Sequence, residues 1–453
     1  MTRRRRVRRA ASAAGLVVAA LAAVVTVVRG DWLQPDASYR ETQLTLRLAT
    51  RDTAGHSDDP GRLDSLGVLL LRLARIDEAA RVFRHVAEID PNDKIALGAL
   101  GKIALFTDHA SQAESLLARA DQDDPMAMAD LFAAKVRLGK YSEAADMTPT
   151  VNQEGRRPLL ERLTENAPYQ VTGGPEVATL PFTRSYPVPL VRAKLNGNLV
   201  LMAVDTGTAD LLLDEQAFRR CKVQPVAGQS VVFWSGSRAA VKNALVQKLE
   251  LGGVRIQYCP AGVLNLGRWS LEINPQSERV AGVIGLNLLA RFVPTIDYEK
   301  FRLVLRRAGT PVTADAGAAR VPFQIWGESE LMVWGTLAQS RRMGFVVQTG
   351  VPACGVGAPD EVFGEVGVKP GAMSRIVKGA GTFLQGRPWA AVVVPTVTVG
   401  SVARDKVAGW QGALDESELW RYGIRRDALI AGDFFKDRRL TIDWSAQQLI
   451  IEE

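Results

Sequence analysis

Val204-Asp205-Thr206-Gly207-Thr208 and Val347-Gln348-Thr349-Gly350-Val351 are two copies of one short signature, 143 positions apart (348 − 205). Residues 188–195 and 199–204 are apolar runs joined by Asn196-Gly197. That dipeptide is the strongest short hairpin signal, so Asp205 is expected at the end of a returning strand. Residues 331–336 and 343–347 bracket a polar turn in the same way and deliver Gln348. Later landmarks match too. The predicted hairpin at Ser235-Gly236-Ser237 pairs with Lys378-Gly379-Ala380-Gly381, and the turn at Gly252 with that at Gly400. Gly282-Val283-Ile284-Gly285 pairs with Leu429-Ile430-Ala431-Gly432, and Thr295-Ile296-Asp297-Tyr298 with Thr441-Ile442-Asp443-Trp444. Gly207 to Gly285 spans 78 positions and Gly350 to Gly432 spans 82. Five landmarks at near-equal spacing predict a duplicated all-β region, with lobes over 186–307 and 320–453.

The chain starts differently. Residues 1–9 form a basic arm, and 10–29 are apolar apart from Ser12, Gly15, Thr26 and the closing Arg29. Nineteen helical residues reach about 28 Å, close to the hydrocarbon core of a bilayer. The basic flank belongs on the cytoplasmic side. The expectation is a single-pass signal-anchor in the inner or plasma membrane, with the main body extracytoplasmic and periplasmic in a Gram-negative cell. Cleavage of a signal peptide near Ala20-Leu21-Ala22 is the rival reading. Either places the bulk of the protein outside the cytoplasm.

Formal net charge is +7, but seven arginines flank the apolar segment. Without them 49 basic residues face 49 acidic ones. The basic pI of 9.4 is therefore no nucleic-acid footprint. Cys221, Cys259 and Cys354 form no dense framework, although Cys221 and Cys259 lie in one lobe and can pair in an oxidising compartment. His56, His85 and His109 are the only histidines. A Ser-His-Asp triad or a His-ligated metal site within 110–453 is excluded. No metal or other cofactor is expected.

Residues 60–146 have a helical pattern with an internal period. Gly67, Ala79, Phe83 and Pro91 recur as Gly101, Ala113, Leu117 and Pro125, each 34 positions on. A weaker third copy starts at Leu138-Gly139. Small residues let paired helices approach, and proline ends the second helix. The period and its small, aromatic and proline positions resemble the tetratricopeptide repeat. That resemblance implies a concave surface for a protein partner; a short spacer is the alternative. Residues 147–185, punctuated by proline and glycine, read as a linker with one helical turn near 159–163.

Over roughly 185–453 the sequence resembles a two-lobed aspartic peptidase, each half similar to a retropepsin-like lobe. The fold class expected is thus multidomain: a transmembrane helix, all-α tetratricopeptide-like hairpins, and an all-β two-lobed barrel domain. The resemblance implies catalytic roles for Asp205, Thr206 and Gly207, with Gln348, Thr349 and Gly350 as the degenerate second copy. It implies that Val283-Ile284-Gly285 and Ile430-Ala431-Gly432 support the two loops. It also implies a flap at Phe233, Trp234, Ser235 and Gly236, with residues 377–382 as its second-lobe counterpart.

The chemistry of that family needs two carboxyls sharing one proton. Gln348 donates a hydrogen bond but releases no proton. Asp210, Asp214 and Asp360 are the nearby acids in sequence, each read as a turn or surface residue. A homodimer pairing two copies of Asp205 is another route to a dyad. The leading expectation is an extracytoplasmic aspartic endopeptidase acting on peptide or protein through Asp205. The alternative is a pseudopeptidase that binds peptide without cutting it.

Overall fold

The computed structural model describes residues 39–453 apart from 235–236, 276–277, 372–388 and 415. The expected anchor at 10–29, the tip Ser235-Gly236 and the segment 377–382 lie outside the described residues. Among the described residues no helix is long and apolar enough to cross a membrane. The chain divides into two compact units.

The first unit holds the described residues up to Ala134 together with Leu419–Arg425. Helix Tyr39–Thr53 precedes two antiparallel pairs, Pro60–Arg72 with Ile76–Ile89 and Lys94–Phe106 with Ala110–Leu117; helix Pro125–Arg137 follows. Asp59 and Asp93 cap the first helix of each pair, accepting from the N–H of Arg62 and Ala96. The 34-residue period has a packing cause. A Cβ on Gly67 would lie 2.6 Å from the Phe83 ring, and one on Gly101 would lie 2.6 Å from Leu117 Cγ. Each glycine lets the partner helix press in with a large apolar side chain. Within this unit Arg425 donates its backbone N–H to Arg72 O at 3.0 Å. The Arg72 guanidinium lies over the Trp420 ring, 4.7 Å from its centroid.

Among the described residues the second unit carries three sheets. β1 (Gln170–Gly173) and β2 (Val177–Pro181) lead into the first lobe: β3 (Leu190–Leu195), β4 (Asn198–Val204), β5 (Leu211–Asp214), β6 (Gln224–Trp234), β7 (Ser237–Leu251), β8 (Val254–Leu264) and β9 (Gly282–Ile284). β10 (Phe292–Asp297) and β11 (Arg302–Arg307) close it. β12 (Ala319–Pro322) and β13 (Gln324–Trp326) open the second lobe, followed by β14 (Glu330–Leu337), β15 (Met343–Val347), β16 (Val356–Ala358), β17 (Ala390–Val399), β18 (Val402–Gln411) and β19 (Ala428–Ile430). β20 (Arg439–Asp443) and β21 (Gln448–Glu452) end the chain's sheets.

The duplication is visible in strand order. The first lobe runs β8-β5-β9-β4-β3-β7 and the second runs β18-β16-β19-β15-β14-β17. The directions match as well. β4 pairs parallel with β9 and β15 with β19, placing Val204 beside Ile284 and Val347 beside Ile430. The turn between β3 and β4 holds Asn196 and Gly197 at φ 46° and 84°, the left-handed pair that a tight hairpin needs.

A third sheet, ordered β12-β21-β20-β10-β11-β2, joins the lobes through β10 and β20. At that junction Thr295 pairs with Thr441, and their hydroxyls hydrogen-bond at 2.7 Å. The flanks mirror each other. Phe182, after β2, donates its N–H to Phe301 O at 2.8 Å; Phe323, after β12, donates to Gln447 O at 3.0 Å. Phe182 meets Tyr298 edge-on, and Phe323 meets Trp444 edge-on.

One expectation needs correction. Residues 147–185 are not a bare linker. They hold helix Arg157–Glu165, whose Leu159 and Leu163 pack with Leu245, and strands β1 and β2, which pair with β8 and β11. The first lobe's sheet thus begins at β1, ahead of residue 186. Cys221, Cys259 and Cys354 are each free and buried.

Candidate active site

Two strands deliver the two loops to one point. Asp205 leaves β4 with its backbone N–H on Ile284 O at 3.1 Å; Gln348 leaves β15 with its own on Ile430 O at 2.9 Å. Val283-Ile284 and Ile430 therefore lie directly beside the loops they hold. Gly285 is needed at its position, because a Cβ there would sit 2.2 Å from Asp210 O. Beyond it, Leu286 N–H donates to Thr208 O at 2.7 Å and Asn287 N–H to Ala209 O at 2.9 Å. In the second lobe a Cβ on Gly432 would meet Thr349 O at 3.1 Å and Tyr298 Oη at 3.2 Å, and Ala431 is fully buried.

The loops lock reciprocally across the lobe seam. Thr206 N–H donates to Thr349 Oγ1 at 3.0 Å, and Thr349 N–H donates to Thr206 Oγ1 at 3.1 Å. The Thr206 hydroxyl donates in turn to Val347 O at 2.8 Å. The glycines make room for the opposite residue. A Cβ on Gly350 would lie 2.3 Å from Asp205 Cγ, and one on Gly207 would lie 2.6 Å from Gln348 Cγ. Asp205 and Gln348 thus occupy equivalent positions, each against the other loop's glycine.

The Asp205 carboxyl is held by three donors. Oδ1 accepts from Gly207 N–H and Gly350 N–H, each at 2.8 Å; Oδ2 accepts from the Thr208 hydroxyl at 2.8 Å. Burial pushes its pKa up, and those three hydrogen bonds oppose the rise without cancelling it. Asp205 is half-buried, so the carboxyl is shielded yet reachable. Beneath the loops, burial and the charges of Asp205 and Asp433 push the Tyr298 phenol up.

The other acids are engaged elsewhere. Asp210, read from sequence as a turn residue, accepts at Oδ1 from Tyr169 Oη at 2.6 Å and Asn287 Nδ2 at 2.9 Å. It braces the back of the loop. Asp214 is fully buried, caps helix Glu215–Arg220 and pairs with Arg279 at 2.7 Å. Asp360 is exposed at the start of helix Asp360–Glu365. The place opposite Asp205 is filled by the second lobe's own loop, so pairing two copies of Asp205 would require that lobe to move away. Of the flap residues, Phe233 and Trp234 lie on the β6–β7 hairpin, their backbones opposite Arg238 and Ser237. Sequence reasoning gave no role to Thr208, Tyr169 or Asn287. Thr208 stood inside the quoted motif, whereas the other two reach the loop only through folding.

The family model for aspartyl proteases matches residues 191–288, the stretch from β3 past the Asp205 loop to its supporting element. No curated protein matches the sequence. Among solved structures, soybean basic 7S globulin is 12% identical, with 61% of this chain and 95% of that one covered and a TM-score of 0.35. An aspartic proteinase from Irpex lacteus is 9% identical, with 61% and 97% covered and a TM-score of 0.40. The second unit has a pepsin- or retropepsin-like fold, carried by its duplicated lobes and interlobe sheet. Within it, the stretch around Asp205 is similar to the aspartyl proteases.

Proposed function

We propose that the second unit is a peptidase-type domain that takes an extended polypeptide across its lobe seam and hydrolyses it slowly, with Asp205 as sole proton carrier. The observation behind this reading is the seating of Asp205 by Gly207, Gly350 and Thr208, opposite an amide in place of a second acid. The ionised Asp205 takes a proton from a water molecule. The hydroxide oxygen bonds to the scissile carbonyl carbon, and Gln348 Nε2 donates to the developing oxyanion. Asp205 then gives the same proton to the amide nitrogen as the C–N bond breaks. The oxyanion never receives a proton of its own. That omission costs about 10²–10⁴-fold relative to a two-acid site.

A second reading is favoured by Gln348 itself. Lacking a transferable proton, the site holds peptide without cutting it. A single experiment separates the two. The full-length chain is incubated with mixed peptides from pH 3 to pH 8, and products are read by mass spectrometry. Slow cleavage abolished by Asp205→Asn supports the peptidase reading. An inert wild type with an active Gln348→Asp variant supports binding alone. Cleavage that survives Asp205→Asn overturns both.

The sequence-based reading of residues 10–29 as a membrane anchor, with the main body extracytoplasmic, is part of this proposal. It rests on the arginine flank and the apolar run. The helical pairs are proposed as tetratricopeptide-like on their 34-residue period.

A further inference from the structure

Helix Tyr39–Thr53 has two faces of opposite character. Its buried residues are Thr42, Leu46, Ala49 and Thr53, and the helix packs on helix Pro60–Arg72. At about 100° per residue these four share one stripe. Directly opposite, Arg40, Leu44, Arg47, Leu48 and Arg51 share another, and all five are exposed. Leu44 and Leu48, one turn apart among the three arginines, are 52% and 47% exposed.

The stripe is fixed in direction and unbalanced in charge. At the start of the helix the Arg425 guanidinium lies 5.4 Å from the Tyr39 ring centroid, and the buried stripe keeps the helix from rolling. Among the described residues Arg40, Arg47 and Arg51 have no ion-pair partner. The acids Glu41 and Asp52 lie to one side of the stripe, and Asp52 pairs with Arg62 at 2.6 Å. A face that only meets water has no need of aligned leucines. Leucine beside arginine suits the boundary between lipid headgroups and acyl chains, where the apolar side chain enters and the guanidinium meets phosphate.

We infer that this helix lies flat on a bilayer, with Leu44 and Leu48 dipping between lipids and the three arginines on the phosphates of anionic lipids. The inference rests on the membrane-anchor reading of residues 10–29. Tyr39 follows Arg29 by ten positions, at most about 35 Å of extended chain. A tether that short makes the contact intramolecular, so a surface too weak to hold a free protein is still occupied. Each arginine adds its own attraction to an anionic surface.

The test uses the full-length chain in vesicles of phosphatidylcholine, with or without phosphatidylglycerol. The native cysteines are buried, so a fluorophore can be placed selectively at Leu44→Cys, or at Gln112→Cys on the exposed side of helix Ala110–Leu117. Lipids spin-labelled near the headgroup then quench whichever position touches the bilayer. Quenching at 44 is expected to exceed that at 112 severalfold in anionic vesicles. It should fall at least twofold without phosphatidylglycerol, and as far when Arg40, Arg47 and Arg51 are all changed to Gln. Thermal melting checks that the variants remain folded. Flotation with the vesicles reads the anchor separately. A chain that floats while position 44 stays unquenched would overturn this inference and leave the anchor standing; a chain that does not float would overturn both. Equal quenching at 44 and 112, or a triple variant quenched like the wild-type stripe, would also overturn it.

Discussion

Gly350 of the second lobe donates its backbone N–H to Asp205 Oδ1 of the first at 2.8 Å. One hydrogen bond thus ties Asp205 to the loop that carries Gln348 in the equivalent place. The second lobe contributes to the site even without a carboxyl, because its loop seats the carboxyl opposite. Gly350→Ala would place a Cβ 2.3 Å from Asp205 Cγ. The carboxylate must shift, and that donor is misaligned. Cleavage, or peptide affinity where no cleavage occurs, is expected to fall at least tenfold. Circular dichroism should report an intact fold.

Thr206→Val removes a hydroxyl that donates to Val347 O and accepts from Thr349 N–H. Both partners are buried at the seam. The expected loss is about 2–3 kcal/mol, or a fall in Tm of about 5 °C, measured by calorimetry. Thr206→Ser keeps the hydroxyl and should recover most of it.

The pH dependence of cleavage follows from the lone acid. Asp205 must be ionised to take a proton from water, and burial raises its pKa above the ordinary 3.8. The rate should therefore rise with pH through that raised value and then level off. Gln348→Asp restores a second acid, and its profile should become bell-shaped with an acidic optimum. Rates measured from pH 3 to pH 8 on both proteins check this.

Asp64 gives the first unit a pH-dependent stability. Burial, with Asp93 and Asp90 nearby, raises its pKa from 3.8 to about 7. Between those values the folded state binds more protons than the unfolded one. Its stability is therefore highest below pH 3.8 on this account and declines as pH rises through about 7. Asp64→Asn removes the liability. The Tm of the first unit in the variant should exceed that of the wild type by several degrees at pH 8, and the gap should narrow at pH 5.

Much of the β architecture was legible because glycines mark it. Gly207, Gly285, Gly350 and Gly432 each face atoms that leave little or no room for a Cβ, so spacing between glycines tracked spacing between structural contacts. Asn196-Gly197 fixed the register of β3 on β4 for a similar local reason. What escaped was nonlocal. β2 is five residues long and acquires its place only by pairing with β11, more than a hundred positions on. Its flanking prolines and glycines made the stretch read as a linker. Asp210 looked like a turn residue because its partners, Tyr169 and Asn287, lie 41 and 77 positions away. Asp214 does carry a local signal, as an acid just before the short helix Glu215–Arg220 that it caps.

The central claim is that Asp205 faces an amide and titrates alone. Carbon-13 NMR of Asp-labelled protein, with Asp205→Asn to assign the signal, measures this directly. The wild type should show one transition for Asp205, displaced upward from 3.8. In Gln348→Asp the signal should split into two coupled steps, one below and one above the wild-type value. Identical titration of Asp205 in both proteins would contradict the account, because residue 348 would then not face it.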